Sequence, residues 1–306
     1  MGGSKLLVGV NRAMDPEELT IIVNTGDDMV MHGLFISPDL DIVTYSLADV
    51  VNPETGWGLR DETFRTLQQL RTYGRPDWFN LGDRDLATHI HRTAMLRDGA
   101  TLSAVAESIR LSLGVKARIV PMSDQPVPTI IHTDQGRLDF QEYLVQRRAE
   151  PTVTKIEFEG IEHAQPAPGV LEAIENAAGI ILCPSNPLIS IGPILAVGAV
   201  RQALRHRRDN VVAVCPIVGG KSLKGPSDKM LVELGFDASC YGVAQLYRDV
   251  CATFVIDEMD AAERSRIESL DMRVIVGSTV MRTLEDKQRV AGEVLRLFGA
   301  RAAGGQ

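Results

Sequence analysis

The sequence lacks the features that define several large classes of protein. Its four cysteines include no C-x-x-C pair, and a chain of 306 residues needs no disulfide framework. No apolar run approaches the roughly 18 residues that span a bilayer, and the N-terminus has no signal-peptide pattern. The 32 Lys and Arg are outnumbered by 40 Asp and Glu, which argues against wholesale binding to nucleic acid or anionic membrane. We therefore expect a cytoplasmic protein that acts on small molecules.

What the sequence does have is an alternation of apolar strand patterns with helical patterns. The strand patterns are LTIIV, GIIL, NVVAV, ATFVI and MRVIV, and amphipathic helical stretches such as GPILAVGAVRQALRHR and DKQRVAGEVLRLFGA lie between them. This alternation predicts an α/β fold with a mostly parallel sheet and helices on both faces. Such sheets bind ligands at the carboxyl ends of their strands, where the polar loops of this chain follow.

One segment interrupts the alternation. Residues 60–113 contain three consecutive helical patterns, each ending in glycine. We predict a core formed by residues 1–59 and 114–306 and a small helical subdomain at 60–113. After it, TIIHTDQGRLDF predicts a hairpin with its turn near Gly136.

Carboxylates collect after the first of these strands. Asp27 and Asp28 follow LTIIV, and Asp39 and Asp41 open the next helix. Together they could hold Mg²⁺, which takes one or two carboxylates and leaves its other positions to water and phosphate. The alternatives are that Asp39 caps the helix and that Asp27 caps a turn in a solvated loop.

A second polar group, in LGDRDLATHIH, has a plainer explanation. Asp83 and Asp85 at a helix start complement the helix dipole. His89 and His91 are two residues apart and point to different helix faces, so a shared metal is not indicated. An isolated helix histidine is more often structural.

Two further loops have the residue types of an anion site. Ser185 and Asn186 follow GIIL, where hydroxyl, amide and backbone N–H groups could bind phosphate or ribose, although ordinary turn chemistry explains them equally well. Gly219, Gly220, Lys221 and Lys224 resemble a phosphate loop. The chain has Cys215 where a Walker sequence requires glycine, so a non-Walker loop is the remaining interpretation. Carboxylates and lysines at strand ends favour phosphoryl transfer over acyl or hydride chemistry.

Longer strings match a family. The segments VNTGDD, HGLFISPDLD, GWGLRDETF, LGDRDLATHIHRT, PSNPLISIGPILAV and PIVGGKSLKGPSDKM closely resemble the phosphoryl-lactate transferase family of the CofD/FbiA type. The resemblance implies a Rossmann-like core, Mg²⁺ dependence and a homodimer. It also implies a reaction in coenzyme F-420 biosynthesis, in which a guanosine diphosphate-linked three-carbon acid is transferred to the deazaflavin Fo.

The resemblance also suggests roles for individual residues. Asp28 and Asp41 would be catalytic and would bind the metal with Asp39 as third ligand. The acceptor Fo would contact Asp41, Asn80 and Trp57, although burying an aromatic side chain explains Trp57 as well. The donor nucleotide and phosphates would be bound by Gly2, Gly3, Lys5, Ser185, Asn186, Gly220, Lys221 and Lys224.

The N-terminus departs from the family pattern. Members open with a strand before a glycine-rich loop, whereas this chain begins MGGSKLL, and we expect an in-frame upstream extension that encodes that strand. A different class of function is a non-catalytic regulatory protein of the same superfamily that binds a nucleotide sugar. The PDLD and GWG segments favour the enzyme. A nicotinamide-dependent oxidoreductase is disfavoured because no complete dinucleotide fingerprint follows a strand.

Overall fold

The computed structural model of the protein describes residues 2–302. The chain divides into two compact units, one within residues 1–19 and 169–306 and the other spanning Thr20–Pro168. A separate helical subdomain at residues 60–113 stays a prediction, since this division places that segment inside the second unit. No helix within residues 2–302 is long and apolar enough to cross a bilayer.

The first helix belongs to the first unit, and the chain then forms all of the second unit before it returns to the first. This helix is α1 (Gly2–Ala13). The strands of the second unit are β1 (Thr20–Val23), β2 (Met29–Met31), β3 (Leu34–Ile36), β4 (Arg118–Pro121), β5 (Thr129–Thr133), β6 (Gly136–Asp139) and β7 (Val153–Phe158). Its helices are α2 (Pro38–Leu47), α3 (Arg65–Thr72), α4 (Asp83–Arg97) and α5 (Leu102–Ser112).

Three small sheets organise the second unit. β1 pairs in parallel with β4, β2 pairs antiparallel with β3, and β5 lies between β6 and β7. The predicted hairpin is confirmed, since Thr133 of β5 pairs with Gly136 of β6. The three predicted helices are confirmed as α3, α4 and α5.

The remaining elements belong to the first unit. Its strands are β8 (Ile180–Leu182), β9 (Val211–Val214), β10 (Ile217–Val218), β11 (Lys221–Ser222), β12 (Thr253–Asp257) and β13 (Arg273–Gly277). Its helices are α6 (Val170–Asn176), α7 (Ile191–Ala196), α8 (Val200–His206), α9 (Ser227–Glu233), α10 (Cys240–Tyr247), α11 (Arg264–Glu268) and α12 (Leu284–Ala302).

A parallel sheet in the order β13-β12-β9-β8 forms the centre of this unit and confirms the predicted α/β class. Every residue of β9 and β12 is buried, as expected for strands covered on both faces. The apolar faces of α1 and α12 pack on this sheet, with Leu6 and Val10 against Val290 and Val294. Gly9 permits the close approach, because a Cβ there would collide with the Lys287 carbonyl oxygen.

Two expectations about the elements are corrected. The stretch GPILAVGAVRQALRHR is two short helices and not one, because Gly198 adopts a φ of +37° between α7 and α8. The strand before the aspartates, β1, pairs with β4 in a sheet of its own. The sequence interpretation had assigned this strand to the same sheet as β8 and β9.

Candidate active site

The loop after β1 and the first turn of α2 gather three carboxylates around neutral partners. The Asn24 Nδ2 group donates to Asp27 Oδ1 at 3.1 Å and to Asp39 Oδ2 at 2.9 Å. The Ser37 hydroxyl donates to Asp28 Oδ1 at 2.6 Å. The other Asp28 oxygen, Oδ2, is buried and has no hydrogen-bond partner among the described residues. We call Asp27, Asp28 and Asp39 the Asn24 cluster.

Local sequence explains how this cluster forms. The Asn24 Oδ1 atom accepts from the Gly26 N–H at 2.8 Å, an Asx turn that ends β1 and reverses the chain. Pro38 suits the first turn of α2, where its missing N–H costs nothing, and Asp39 follows in the turn that favours carboxylates. Ser37 precedes α2, but its hydroxyl turns to Asp28 instead of capping the helix.

Burial raises the pKa of all three carboxyl groups. For Asp27, burial raises the pKa well above its usual range, and the neighbouring Asp39 adds to the effect. For Asp28, burial likewise raises the pKa well above its usual range, and the Ser37 hydrogen bond opposes it. Burial also raises the pKa of Asp39. Carboxylates in such surroundings favour taking up a proton or a cation.

Asp41 lies in different surroundings, because α4 supplies it with a cation. The Arg92 guanidinium forms a bidentate pair with the Asp41 carboxylate, with Nη1 donating to Oδ2 at 3.1 Å and Nη2 to Oδ1. Only 1% of Arg92 is exposed. Burial would lower the pKa of Arg92, but Asp41 outweighs it and leaves that pKa raised. Burial raises the pKa of Asp41, and Arg92 opposes this effect. The pair is therefore a buried ion pair.

A histidine and a second aspartate extend this pair. His89 Nδ1 lies 3.1 Å from Arg92 Nη1, and His89 Nε2 lies 3.4 Å from Asp85 Oδ2. Asp85 Oδ1 accepts from the Tyr45 hydroxyl at 2.8 Å. We call Asp41, Asp85, His89 and Arg92 the Arg92 cluster.

Within the described residues, Asp41, Asp85 and His89 are the one group whose ligand atoms lie within 4.8 Å of one another, as a metal site requires. Arg92 nevertheless already engages both Asp41 oxygens. The sequence interpretation treated His89 as an isolated histidine. The signal that it missed was the i, i+4 spacing of Asp85 and His89. His91 lies apart from this group, with its Nε2 atom 3.1 Å from the Ser108 hydroxyl.

A cavity of about 520 Å³ opens beside the Asn24 cluster. Asp27 and Asp28 line one side of it. The remaining wall comes from β2 and its turn, the segment before α4, the start of β5, the end of β6 and Glu159 after β7. It includes Met29, Val30, Met31, His32, Arg75, Trp78, Thr129, Ile130, Asp139, Phe140, Gln141, Glu142 and Glu159. Its size is that of a pocket for a small organic molecule.

None of the three residues predicted for the acceptor, Asp41, Trp57 and Asn80, is part of the cavity wall. Trp57 is 40% exposed, and Asn80 is exposed. The tryptophan that lines the cavity is Trp78, which the sequence interpretation did not select. A role for Trp57 or Asn80 in acceptor binding stays a prediction.

In the first unit, the N-terminus of α1 lies against the loop after β8. A Cβ at Gly2 would collide with the Pro184 carbonyl oxygen, and one at Gly3 would lie 2.6 Å from Ser185 Oγ. The structure therefore brings together Gly2, Gly3 and Ser185, which the resemblance had assigned to the donor. Asn186 has a local role, since its Oδ1 accepts from the Leu188 N–H at 2.9 Å.

Lysines from three segments approach one another in the same unit. Burial lowers the pKa of Lys5, and the charges of Lys224 and Lys287 lower it further. The Lys5 ammonium donates to the Met281 carbonyl oxygen at 2.9 Å. Lys287 on α12 was not among the predicted residues, because its helical pattern gave no sign of a site. Lys221 is exposed on β11.

The glycine-rich turn between β10 and β11 is held by a carboxylate. The Gly219 N–H donates to Asp260 Oδ2 at 3.0 Å, and Gly219 and Gly220 have positive φ angles of +58° and +72°. Such backbone angles favour glycine. The geometry explains both glycines as turn residues, and donor binding by Gly220 stays a prediction.

Comparisons with known proteins agree on one family. The family model described as 2-phospho-L-lactate transferase CofD matches residues 1–288. The 2-phospho-L-lactate transferase of Methanosarcina mazei is 39% identical over 297 residues, covering 97% of each chain. That of Methanothermobacter thermautotrophicus is 42% identical over 298 residues, covering 96% of this chain and 95% of its own. The phosphoenolpyruvate transferase of Streptomyces griseus is 40% identical over 303 residues, covering 97% and 95%.

A solved structure supports the fold. The crystal structure of a UPF0052 family protein from Bacillus halodurans superposes with a TM-score of 0.61 and covers 96% of each chain. Its sequence is 15% identical to this chain, so the likeness concerns the fold alone.

Proposed function

Because the chain belongs to the 2-phospho-L-lactate transferase CofD family, we propose that it transfers a phosphorylated three-carbon acid to the deazaflavin Fo in coenzyme F-420 biosynthesis. The donor is a guanosine diphosphate-linked acid and the by-product is GMP. The acid is phosphoenolpyruvate, 2-phospholactate or a phosphoglycerate. The relative named as a phosphoenolpyruvate transferase is 40% identical, and two named as 2-phospho-L-lactate transferases are 39% and 42% identical. Sequence identity therefore does not distinguish between these two acids.

The observation that carries this proposal is the unpartnered Asp28 oxygen beside a cavity of substrate size. A buried carboxylate oxygen without a donor is costly unless a cation or a proton-bearing ligand completes it. Asp28 Oδ2 is such an atom, and Asp28 lines the cavity together with Asp27. An acceptor hydroxyl and a divalent cation are the two partners that the proposed reaction brings.

The residues present fit Mg²⁺. Asp28 offers a free oxygen and Asp39 a partly buried carboxylate, and one or two carboxylates are enough when substrate phosphate and water complete the coordination. We assign these two residues to the metal. A bound Mg²⁺ supplies Lewis-acid neutralisation of charge on the phosphoryl oxygens. Asp41, the third ligand that the resemblance suggested, already accepts from Arg92 at both of its oxygens.

The transfer exchanges one P–O bond for another. The terminal ribityl hydroxyl of Fo attacks the phosphorus that bears the three-carbon acid, and the bond from that phosphorus to GMP breaks. Asp27 lines the cavity and takes the hydroxyl proton, which leaves Asp28 for the metal. Asp41, fixed and neutralised by Arg92, orients the acceptor. Reactions of this type depend chiefly on positioning and charge neutralisation.

Donor binding is assigned to the first unit. Gly2 and Gly3 pack closely on Pro184 and Ser185 at the N-terminus of α1, and the N–H groups of a helix N-terminus suit phosphate. Lys5 and Lys224 supply positive charge, and Lys287 adds to it. Asn186, Gly220 and Lys221 complete the proposed donor set, although the first two also have turn roles.

The direct experiment is to incubate the protein with Fo, Mg²⁺ and each of the three guanylylated donors in turn. We expect GMP release and a phosphodiester product whose mass identifies the preferred acid. No GMP release and no product with any of the three donors would contradict the proposal. The predicted homodimer is tested separately by light scattering on the purified protein, and the cytoplasmic location by fractionation.

A further inference from the structure

Strand β7 is an edge strand of its sheet. Within residues 2–302 this sheet has the order β6-β5-β7, so β5 is the one strand that pairs with β7. The Glu159 N–H donates to the Pro128 carbonyl oxygen at 3.0 Å, which fixes the residues whose backbone groups point at β5. Because these groups alternate along an antiparallel strand, those of Lys155 and Glu157 face β5 and those of Ile156 face away. The outer edge of β7 therefore offers backbone groups to another strand.

The side chains along this edge have opposite charges two residues apart. Lys155 and Glu157 lie on one face of β7 with their Nζ and Oε2 atoms 3.1 Å apart, and their side chains are 63% and 43% exposed. Ile156 and Phe158, on the other face, are half-buried. Charged side chains and β-bulges usually protect an edge strand from pairing, and β7 has both, since its register with β5 skips Thr154. Charges of mixed sign, however, oppose some registers and favour another.

We propose that β7 pairs antiparallel with β7 of a second copy of this chain, about a two-fold axis at Ile156. In this register Ile156 exchanges backbone hydrogen bonds with the partner's Ile156. Lys155 lies opposite the partner's Glu157, and Glu157 lies opposite the partner's Lys155. Both charge pairs fall at positions without ladder hydrogen bonds, where facing side chains come closest. The sheets of the two copies thus join into one continuous sheet.

The charges select this register over its neighbours. A two-fold axis at Lys155 would place two lysines opposite each other, and an axis at Glu157 would place two glutamates opposite each other. Both shifts keep the same outward backbone groups in the ladder, so the side chains decide. Like charges directly opposite each other across two strands are destabilising, whereas opposite charges are stabilising. Because both copies use the same edge, the contact closes on two copies and does not propagate.

Charge reversal tests this register, with the dimer dissociation constant measured by sedimentation equilibrium. Lys155→Glu and Glu157→Lys each place like charges opposite each other twice per dimer, and we expect roughly tenfold weaker dimers or more. The double variant Lys155→Glu/Glu157→Lys restores opposite charges across the axis, so it should dimerise more tightly than either single variant. All these substitutions are at exposed or half-buried positions, where charge reversal leaves the core intact.

Arg137→Glu is the matched control. Arg137 lies on β6, the other edge of the same sheet, and forms a similarly exposed ion pair with Glu159, with both side chains more than half exposed. This variant should dimerise as the wild type does. It also tests the alternative that the two copies pair through β6.

Two further measurements separate pairing through β7 from a general change in charge. The difference in dimer affinity between the wild type and Lys155→Glu should shrink at 1 M NaCl, where the Debye length is about 3 Å. The Ile156 amide should exchange its hydrogen more slowly in the dimer than in the diluted monomer, because dimerisation gives it an acceptor.

The outcomes distinguish this inference from the proposed function, on which it does not depend. A wild-type dimer that neither single variant weakens would overturn the inference, and so would a dimer that Arg137→Glu weakens instead. Unchanged exchange at Ile156 on dimerisation would do the same. A monomeric wild type would overturn the inference together with the predicted homodimer. GMP release by the wild type tests the transferase activity separately in every case.

Discussion

The second unit buries its aspartates in two contrasting ways. In the Asn24 cluster, Asp27, Asp28 and Asp39 receive hydrogen bonds from the neutral side chains of Asn24 and Ser37, and one oxygen receives none. In the Arg92 cluster, Asp41 is bound at both oxygens by a guanidinium that is itself buried. The two clusters share the segment from β1 to α2, yet the second contains its own cation.

The difference indicates which cluster requires a bound cation or a proton to neutralise its carboxylates. A buried carboxylate with a bidentate arginine is already neutralised, and removing its partner leaves a costly charge. Carboxylates with raised pKa values and neutral partners are poised to bind a cation or to accept a proton. The Asn24 cluster is thus suited to chemistry and the Arg92 cluster to keeping its geometry fixed.

The largest expected effect is on turnover when the Asn24 cluster is altered. Asp28→Asn keeps the shape of the side chain and its bond to Ser37 but removes the charge proposed for the metal. We expect kcat to fall on the order of ten-thousandfold, since a Lewis-acid metal contributes several kcal/mol to such a barrier. GMP release at saturating substrates measures this, with the exposed Asp98→Asn as control. Wild-type turnover by Asp28→Asn would remove Asp28 from the site.

The next largest effect is on stability, and here the clusters should differ in sign. Arg92→Met leaves Asp41 as an unpaired buried charge, and Asp41→Asn leaves Arg92 unpaired. We expect each to lower the free energy of unfolding by about 3–5 kcal/mol in urea titrations. Asp28→Asn should leave it equal or higher, because burial disfavours the Asp28 charge more than Ser37 and Arg92 favour it.

The double variant Arg92→Met/Asp41→Asn serves as the control for this comparison. It removes both charges together, so part of the stability lost in each single variant should return. Equal losses in Asp28→Asn and Asp41→Asn would mean that the two clusters are not electrostatically different.

A third prediction concerns metal binding without substrates. At a Mg²⁺ concentration 100 times the dissociation constant, the metal should stabilise the wild type by about 2.7 kcal/mol. We expect this stabilisation to vanish in Asp28→Asn and to persist in His89→Gln. Thermal unfolding with and without Mg²⁺ measures both. The reverse outcome would assign the metal to Asp41, Asp85 and His89, the group with the closest ligand atoms.

Much of the fold and part of the candidate site could be predicted from the sequence. The features that could not be predicted depend on contacts between residues far apart in the chain. Apolar runs identified β9 and β12, because strands covered on both faces must be apolar throughout. The run before the aspartates also identified β1, although only alternate residues of that strand are buried. The carboxylates after β1 were also found, since they follow a strand end directly. The pairing of Asp41 with Arg92 joins residues 51 positions apart, and no local pattern encodes it.

The cavity shows the same limit. Its wall is formed by segments that are distant in the sequence. The local sequence around Trp57 and Trp78 therefore could not show which tryptophan is exposed and which lines the cavity. A conspicuous GWG string favoured Trp57, whereas the packing of Met31, Leu81 and Leu86 places Trp78 in the wall. Tertiary packing, which local propensity does not describe, decides which aromatic residue faces a ligand.

The smallest predicted effect concerns the neutral Asn24 amide that bridges two carboxylates, and it tests whether this bridge contributes to metal binding. Asn24 donates to both Asp27 and Asp39, so Asn24→Ala should loosen Asp39, one of the two proposed metal ligands. Residues that orient metal ligands typically change affinity 10–100-fold, and we expect about tenfold weaker Mg²⁺ binding by calorimetry. Asn52→Ala is the matched control. Asn52 makes the same kind of Asx turn, with its Oδ1 accepting from the Glu54 N–H at 2.9 Å, in a loop apart from the carboxylates. Equal Mg²⁺ affinity in the two variants would show that the turn, and not the bridge, is what Asn24 contributes.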